Sequence, residues 1–225
     1  MKKILIGLLA SLFLSSAALA GQFGIGVAGS LSAIQAEGKE SDKDGTADTS
    51  MRTANTKAMV IIPSAFGEYS FDNGFTLGLD YVLGTADVSD PKLTRTDVTA
   101  DAKEAVQDDG DRTASAEIEN VITIYAEIPV HAGLYAKAGF VQMDVNTTES
   151  STISTTATYG NTSVDGQLYG FGYKNAFGTN GFYKVEGTHT MMEGISLNGS
   201  TTDKGNKISA DLDVTKATFA IGYNF

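Results

Sequence analysis

Several short runs in this sequence have the residue types that chemistry needs. Gly24-Ile25-Gly26-Val27-Ala28-Gly29 satisfies the G-x-G-x-x-G spacing of a dinucleotide site. That site requires a strand before the run and a helix after it, so that phosphate meets a helix N-terminus. Here the run lies inside an alternating apolar segment, so it reads as strand interior and no cofactor is expected. The two histidines, His131 and His189, have no serine or acidic partner marked in sequence. No catalytic residue is therefore expected, although an enzyme acting on lipid would set such a His against a nucleophile or carboxylate at one rim. Asp42, Asp44 and Asp48, like Asp108, Asp109 and Asp111, invite a calcium reading. Their spacing lacks the glycine at position six and the closing glutamate of the calcium loop. With no Cys in the chain, a thiolate site is impossible as well, and no metal is expected. Three Asn-x-Ser/Thr sequons, at Asn146, Asn161 and Asn198, mark exposed loops.

A second group of polar residues is set by alternation instead of by motif. Asp80, Glu117, Glu119, Glu127, Lys137, Lys184 and Glu186 all oppose an apolar stripe, with Lys216 a further candidate. If those stripes face outward, these charges face one another. Their chemistry would then be that of crossed ion pairs filling a narrow lumen, or of a narrow ion path.

The elements that must position them are strands. Phe75, Leu77, Leu79, Tyr81 and Leu83 share one face, with Thr76, Gly78, Asp80 and Val82 on the other. Phe23, Ile25, Val27 and Leu31 repeat the pattern, as do Ala116, Ile118, Ile122, Ile124, Ala126 and Ile128, and finally Ala217, Phe219, Ile221, Tyr223 and Phe225. Segments 57–71, 134–145, 167–177 and 182–192 bring the number of strands to eight. The phase slips near Pro63, where a missing ladder donor predicts a bulge. Asp72-Asn73-Gly74, Pro129 to Gly133, and Gly178 to Gly181 read as tight turns. Between them fall long polar loops at 36–56, 87–114, 146–165 and 193–213. Short turns at one end and long loops at the other are the habit of transmembrane barrels.

The first residues read as an export signal. Lys2 and Lys3 precede the apolar run Ile4 to Ala17, and Ala18 and Ala20 place small residues before a cut at Gly21. The domain plan is thus a cleaved signal over 1–20 and one barrel domain over 21–225. Losing two lysines takes the net charge from −11 to −13. That acidity excludes a nucleic-acid surface, which needs clustered Lys and Arg.

Alternation alone leaves the barrel free to be a soluble lipocalin-like carrier or a membrane protein. Membrane placement is expected on three grounds. The loops are strongly asymmetric; Phe23, Tyr69, Phe71, Phe75, Phe177, Phe182, Tyr183, Tyr223 and Phe225 gather at the short-turn ends; and the opposite faces are poor in bulky apolar residues. In lipid every backbone amide must pair within the protein, which for strands means a closed sheet. The segment Thr218 to Phe225 resembles the C-terminal signature of bacterial outer-membrane proteins. The chain as a whole resembles the small OmpA/OmpX-type and opacity-type barrels in pattern and length. The resemblance implies an eight-stranded antiparallel up-and-down transmembrane barrel in the cell outer membrane, in contact with its lipid. It also implies recognition by the barrel-assembly machinery through Phe219, Ile221, Tyr223 and Phe225. The expected role is structural or surface-interactive, with four outward loops meeting an unidentified partner and a polar-filled lumen; a narrow pore for small solutes is the alternative.

Overall fold

The computed structural model describes residues 21–44, 48–87, 93–99, 108–151, 158–200 and 207–225, with side chains outside that description at 40–52, 54, 93–99, 108–114 and 149–151. β1 (Gly21–Asp44) lies against β2 (Asp48–Phe71) along its whole length, from Gly21↔Phe71 to Asp44↔Asp48. β2 turns into β3 (Thr76–Val82), whose course is continued by β4 (Ala86–Asp87) and β5 (Leu93–Thr99). All three lie against β6 (Asp108–His131). Then follow β7 (Leu134–Ser151), β8 (Thr162–Phe177), β9 (Gly181–Met192), the short β10 (Ile195–Asn198) and β11 (Lys207–Asn224). β11 pairs with β9 on one side and returns to β1 on the other, from Gly24↔Asn224 to Ser41↔Lys207. The ring closes through eight antiparallel staves, each beside its neighbour in sequence.

The tight turns stand where their residues dictate. Asn73 Oδ1 accepts from the Phe75 amide at 3.0 Å, and Gly74 takes φ +83°. Between β6 and β7 both central residues are left-handed, Ala132 at φ +48° and Gly133 at +84°. That handedness matches the twist of a two-residue hairpin.

Three sequence expectations need correction. The first concerns Pro63, where no bulge occurs: the β1–β2 register runs through Gly29↔Pro63 without a shift. The apparent slip arises because β2 is apolar on both faces, with Met59 and Ile61 outside and Val60, Ile62 and Phe66 inside. The bulge lies instead in β6, between Glu119 and Ile122, where Asn120 takes φ +52°. Asn tolerates this conformation because its short amide bonds locally; here its side chain donates to Asp144 Oδ2 at 3.1 Å. One extra residue inverts the phase. Ala116 and Ile118 face inward before it, whereas Ile122, Ile124 and Ala126 face outward after it.

The second correction concerns the outer loops. Much of each polar stretch is strand: the β1–β2 ladder continues past Gln35↔Lys57 for nine more pairs to Asp44↔Asp48. At roughly 3.3 Å per residue, that ribbon adds about 30 Å of strand. The third concerns the lumen, which is polar only over the half nearest the tight turns. Beyond it Ile34, Ile118, Met143, Val145, Val164 and Leu212 form an apolar core inside the ring.

Candidate functional site: a charged lumen beneath an apolar one

Outward-facing side chains form a broad greasy belt. Ile61 is 80% exposed, Phe171 73% and Phe140 69%, and Ile25, Val27, Leu31, Val185, Phe219 and Ile221 are also largely uncovered. Leu77 and Leu79 share this outer face with Tyr81. A water-soluble barrel cannot carry such a continuous patch, which removes the soluble-carrier alternative. At the tight-turn end the belt closes in an aromatic girdle: Tyr69 against Phe71 at 5.0 Å, Phe71 against Phe75 at 5.8 Å, and Phe23 and Tyr223 against Phe225 at 6.3 and 5.2 Å. Phe182, expected in that girdle, instead points inward and is fully buried against Phe66.

Inside, four aromatic rings each lie over a glycine directly opposite on the neighbouring strand. The pairs are Phe66 with Gly26, Tyr125 with Gly78, Tyr135 with Gly172, and Phe182 with Gly222. A Cβ at Gly172 would lie 2.5 Å from Tyr135 Cζ, so the glycine is what gives the ring its place. The G-x-G-x-x-G run is thereby accounted for as strand: Gly24 and Gly26 face inward, and Gly26 seats a ring.

Those rings frame a cluster of three carboxylates and three ammonium groups. Lys184 Nζ donates to Glu127 Oε1 at 2.6 Å and also to Glu68 Oε2. Glu68 further accepts from Lys174 at 2.5 Å and from the Tyr125 hydroxyl at 3.2 Å. Lys137 donates to both oxygens of Glu186, at 2.8 and 3.0 Å, and lies 3.8 Å from Glu127. Tyr135 donates to Glu186 at 2.5 Å. Lys174 sits 4.3 Å over the Phe182 ring and Lys137 3.8 Å over that of Tyr125. Each charge thus has an opposite charge in contact, the condition under which ions survive burial.

Of the residues expected in the lumen, Glu127, Lys137, Lys184 and Glu186 meet in this cluster. Asp80 stands one level farther out, accepting from Ser64 Oγ at 2.7 Å. Glu117 and Glu119 are not in the lumen: the Asn120 bulge turns them to the outer face, opposite Asn146 and Asp144. Glu68, Lys174, Tyr125 and Tyr135 belong to the cluster and were not anticipated. Glu68 alternates with Phe66 and Ser64, but the apolar residues on both faces of β2 hide that phase in the sequence.

Above the cluster is a cavity of about 30 Å³ lined by Ser30, Asp80, Lys137, Glu186, Lys216 and Thr218 among others. A second cavity of about 40 Å³ lies farther out, walled by Ile34, Ile62, Val82, Ile118, Met143 and Met192, with Thr190 and Lys216 also lining it.

The barrel wall is incomplete beside this second cavity. The Leu83 amide donates to the Pro63 carbonyl at 2.8 Å, but Pro63 has no N–H with which to return the bond. The β2–β3 ladder ends at Ser64↔Val82, and Gly84, at φ +103°, turns the chain out of the strand. Farther out, β2 pairs with β1 alone among the described residues, while β4 and β5 pair with β6.

The remaining candidates form no site. His131 is exposed at the end of β6, and His189 faces outward with its Nδ1 3.0 Å from Thr215 Oγ1. Among the described residues no group of His, Asp or Glu could hold a metal. The side chains of Asp42, Asp44, Asp48, Asp108, Asp109 and Asp111 lie outside the described residues, as do Ala18 and Ala20 of the expected signal. Gly21 opens β1. Phe219, Ile221, Tyr223 and Phe225 face outward on the last stave.

A closed antiparallel ring, a lipid-facing belt with an aromatic girdle, and charges folded inward define the class: this is a transmembrane β-barrel of the outer-membrane type. Among solved structures the chain is similar to the outer membrane protein OprG from Pseudomonas aeruginosa, at 12% identity over 92% of this chain and 97% of that one, with a TM-score of 0.47. It is also similar to the outer membrane protein AlkL, at 11% identity over 92% and 91%, TM-score 0.45. For Neisserial surface protein A the values are 12% identity, 90% and 97% coverage, and a TM-score of 0.35. Neither a protein-family model nor a curated protein matches the chain by sequence.

Proposed function

We propose that this is an outer-membrane barrel closed along its axis, exported through the signal over 1–20 and cut before Gly21, whose business is conducted at its outer half. The ion cluster carries this reading. Glu68, Glu127, Glu186, Lys137, Lys174 and Lys184 occupy the lumen cross-section with contacts at 2.5 to 3.8 Å, and an eight-stranded barrel is only wide enough for side chains to fill it. The structural and surface-interaction role accords with this, because the ribbon of β1 and β2 stands well beyond the belt. Planar-bilayer recordings of the refolded protein should be silent, and reproducible single-channel steps would overturn axial closure.

A second reading is supported by the wall itself. The interrupted β2–β3 ladder lies beside an apolar cavity above a sealed floor, the layout of a sideways route for small apolar molecules. Cells displaying the protein should then take up a fluorescent apolar probe faster than cells displaying Pro63→Val, which restores a ladder donor. Equal rates would remove this reading.

A further inference from the structure

Lys216 is the odd charge of the lumen. The six ions below it are mutually paired, whereas among the described residues no carboxylate lies within ion-pair distance of its ammonium group. Asp80, its nearest candidate partner, is held by Ser64. Lys216 lines both cavities, so its head stands on the boundary between the polar space below and the apolar space above. Two buried hydroxyls on the neighbouring strands, one opposite Lys216 and one opposite Val214, are also without partners. Ser32, directly opposite Lys216 across the β1–β11 ladder, is 0% exposed, and Thr190, which lines the apolar cavity, is 2% exposed. Neither Ser32 Oγ nor Thr190 Oγ1 has a hydrogen-bond partner. Buried polar atoms are normally satisfied, and orphans call for an occupant.

An apolar chamber whose polar lining is one cation and one spare hydroxyl is complementary to a molecule of matching polarity. We propose that the outer lumen binds a short-chain carboxylate, its carboxyl group on Lys216 with hydroxyl donation from Thr190, and its aliphatic tail among Ile34, Ile118, Met143 and Met192. A carboxylate accepts charge-assisted bonds that an alcohol cannot replace. The cavity of about 40 Å³ holds little more than a water as it stands, so only a short tail can enter, as the two unbranched methionines repack around it. The proposal rests on the outer half being reachable from outside, but its test reads occupancy at equilibrium and not passage, so it can fail while axial closure and sideways access both stand.

The test uses the full refolded chain in detergent micelles with 13C-methyl methionine labelling, butanoate as probe and butanol as its uncharged control. Butanoate should shift the Met143 and Met192 methyl signals saturably, and butanol at least tenfold less tightly. Lys216→Gln should abolish that preference, Lys216→Arg should keep it, and Asp80→Asn, which removes a neighbouring negative charge, should tighten butanoate. Both methionine signals must first be present and dispersed in each variant, which establishes folding. Absence of any shift, equal response to butanol, or an unchanged butanoate response in Lys216→Gln would overturn the site; the last would leave Lys216 as a water-bridged counter-ion to Asp80.

Discussion

Lys184 shows how much a single side chain can decide in a narrow lumen. It is 2% exposed and joins Glu68 on β2 to Glu127 on β6. Shortening it to an uncharged group leaves two buried carboxylates with fewer cations, so Lys184→Met should lower unfolding free energy by about 3–5 kcal/mol. Denaturant titration of the barrel in lipid vesicles checks this, and a loss under 1 kcal/mol would mean that water already solvates the cluster. Lys184 and Glu186 were legible because Tyr183, Val185 and Gly187 alternate with them. Glu68 was not, because its strand is apolar on both faces and period-two reading then loses its phase. Lys216 was visible as a charge; its isolation was not, since that depends on what Asp80 and its neighbours do.

At the scale of the strand, two interruptions shape this barrel. Asn120 inserts a residue into β6 and exchanges which side chains meet lipid, moving Glu117 and Glu119 out and Ile118 in. Nothing in the local sequence announces it, since Glu-Asn-Val is as compatible with an unbroken strand as with a bulge. Pro63, which does announce itself, does something other than expected: it ends one ladder and leaves the other intact. Pro63→Val should therefore slow amide exchange at residues 61–65 and 81–85 and add about 0.5–1.5 kcal/mol of stability through the restored bond. Unaltered exchange there, with the variant folded, would show that Gly84 alone keeps the wall parted. The staves and tight turns were readable because alternation and Asn-Gly chemistry are local; the outer ribbons were not, because their polar residues carry no stripe while standing in water on both faces.

For the molecule as a whole, closure is the property to measure. A ring tied by main-chain bonds from Gly24↔Asn224 to Ser41↔Lys207 should stay compact in cold dodecyl sulfate. It should migrate faster on a gel than after boiling, and identical mobility would contradict a sealed ring. The sequence predicted eight staves and the outward direction of most stripes correctly, but it described the lumen as uniformly polar. The apolar outer half escaped because Val164 and Leu212 lie within polar stretches that read as loop, and because Ile118 falls on a stripe that reads as outward-facing.

The first and last staves are direct neighbours, and this fixes the order of events in biogenesis. β1 cannot find half of its main-chain partners until β11 has emerged from the ribosome, so translation must outrun folding. An incomplete chain would present two raw edges ready to pair with any stray strand. Closure thus waits on the last stave, a requirement written into the topology.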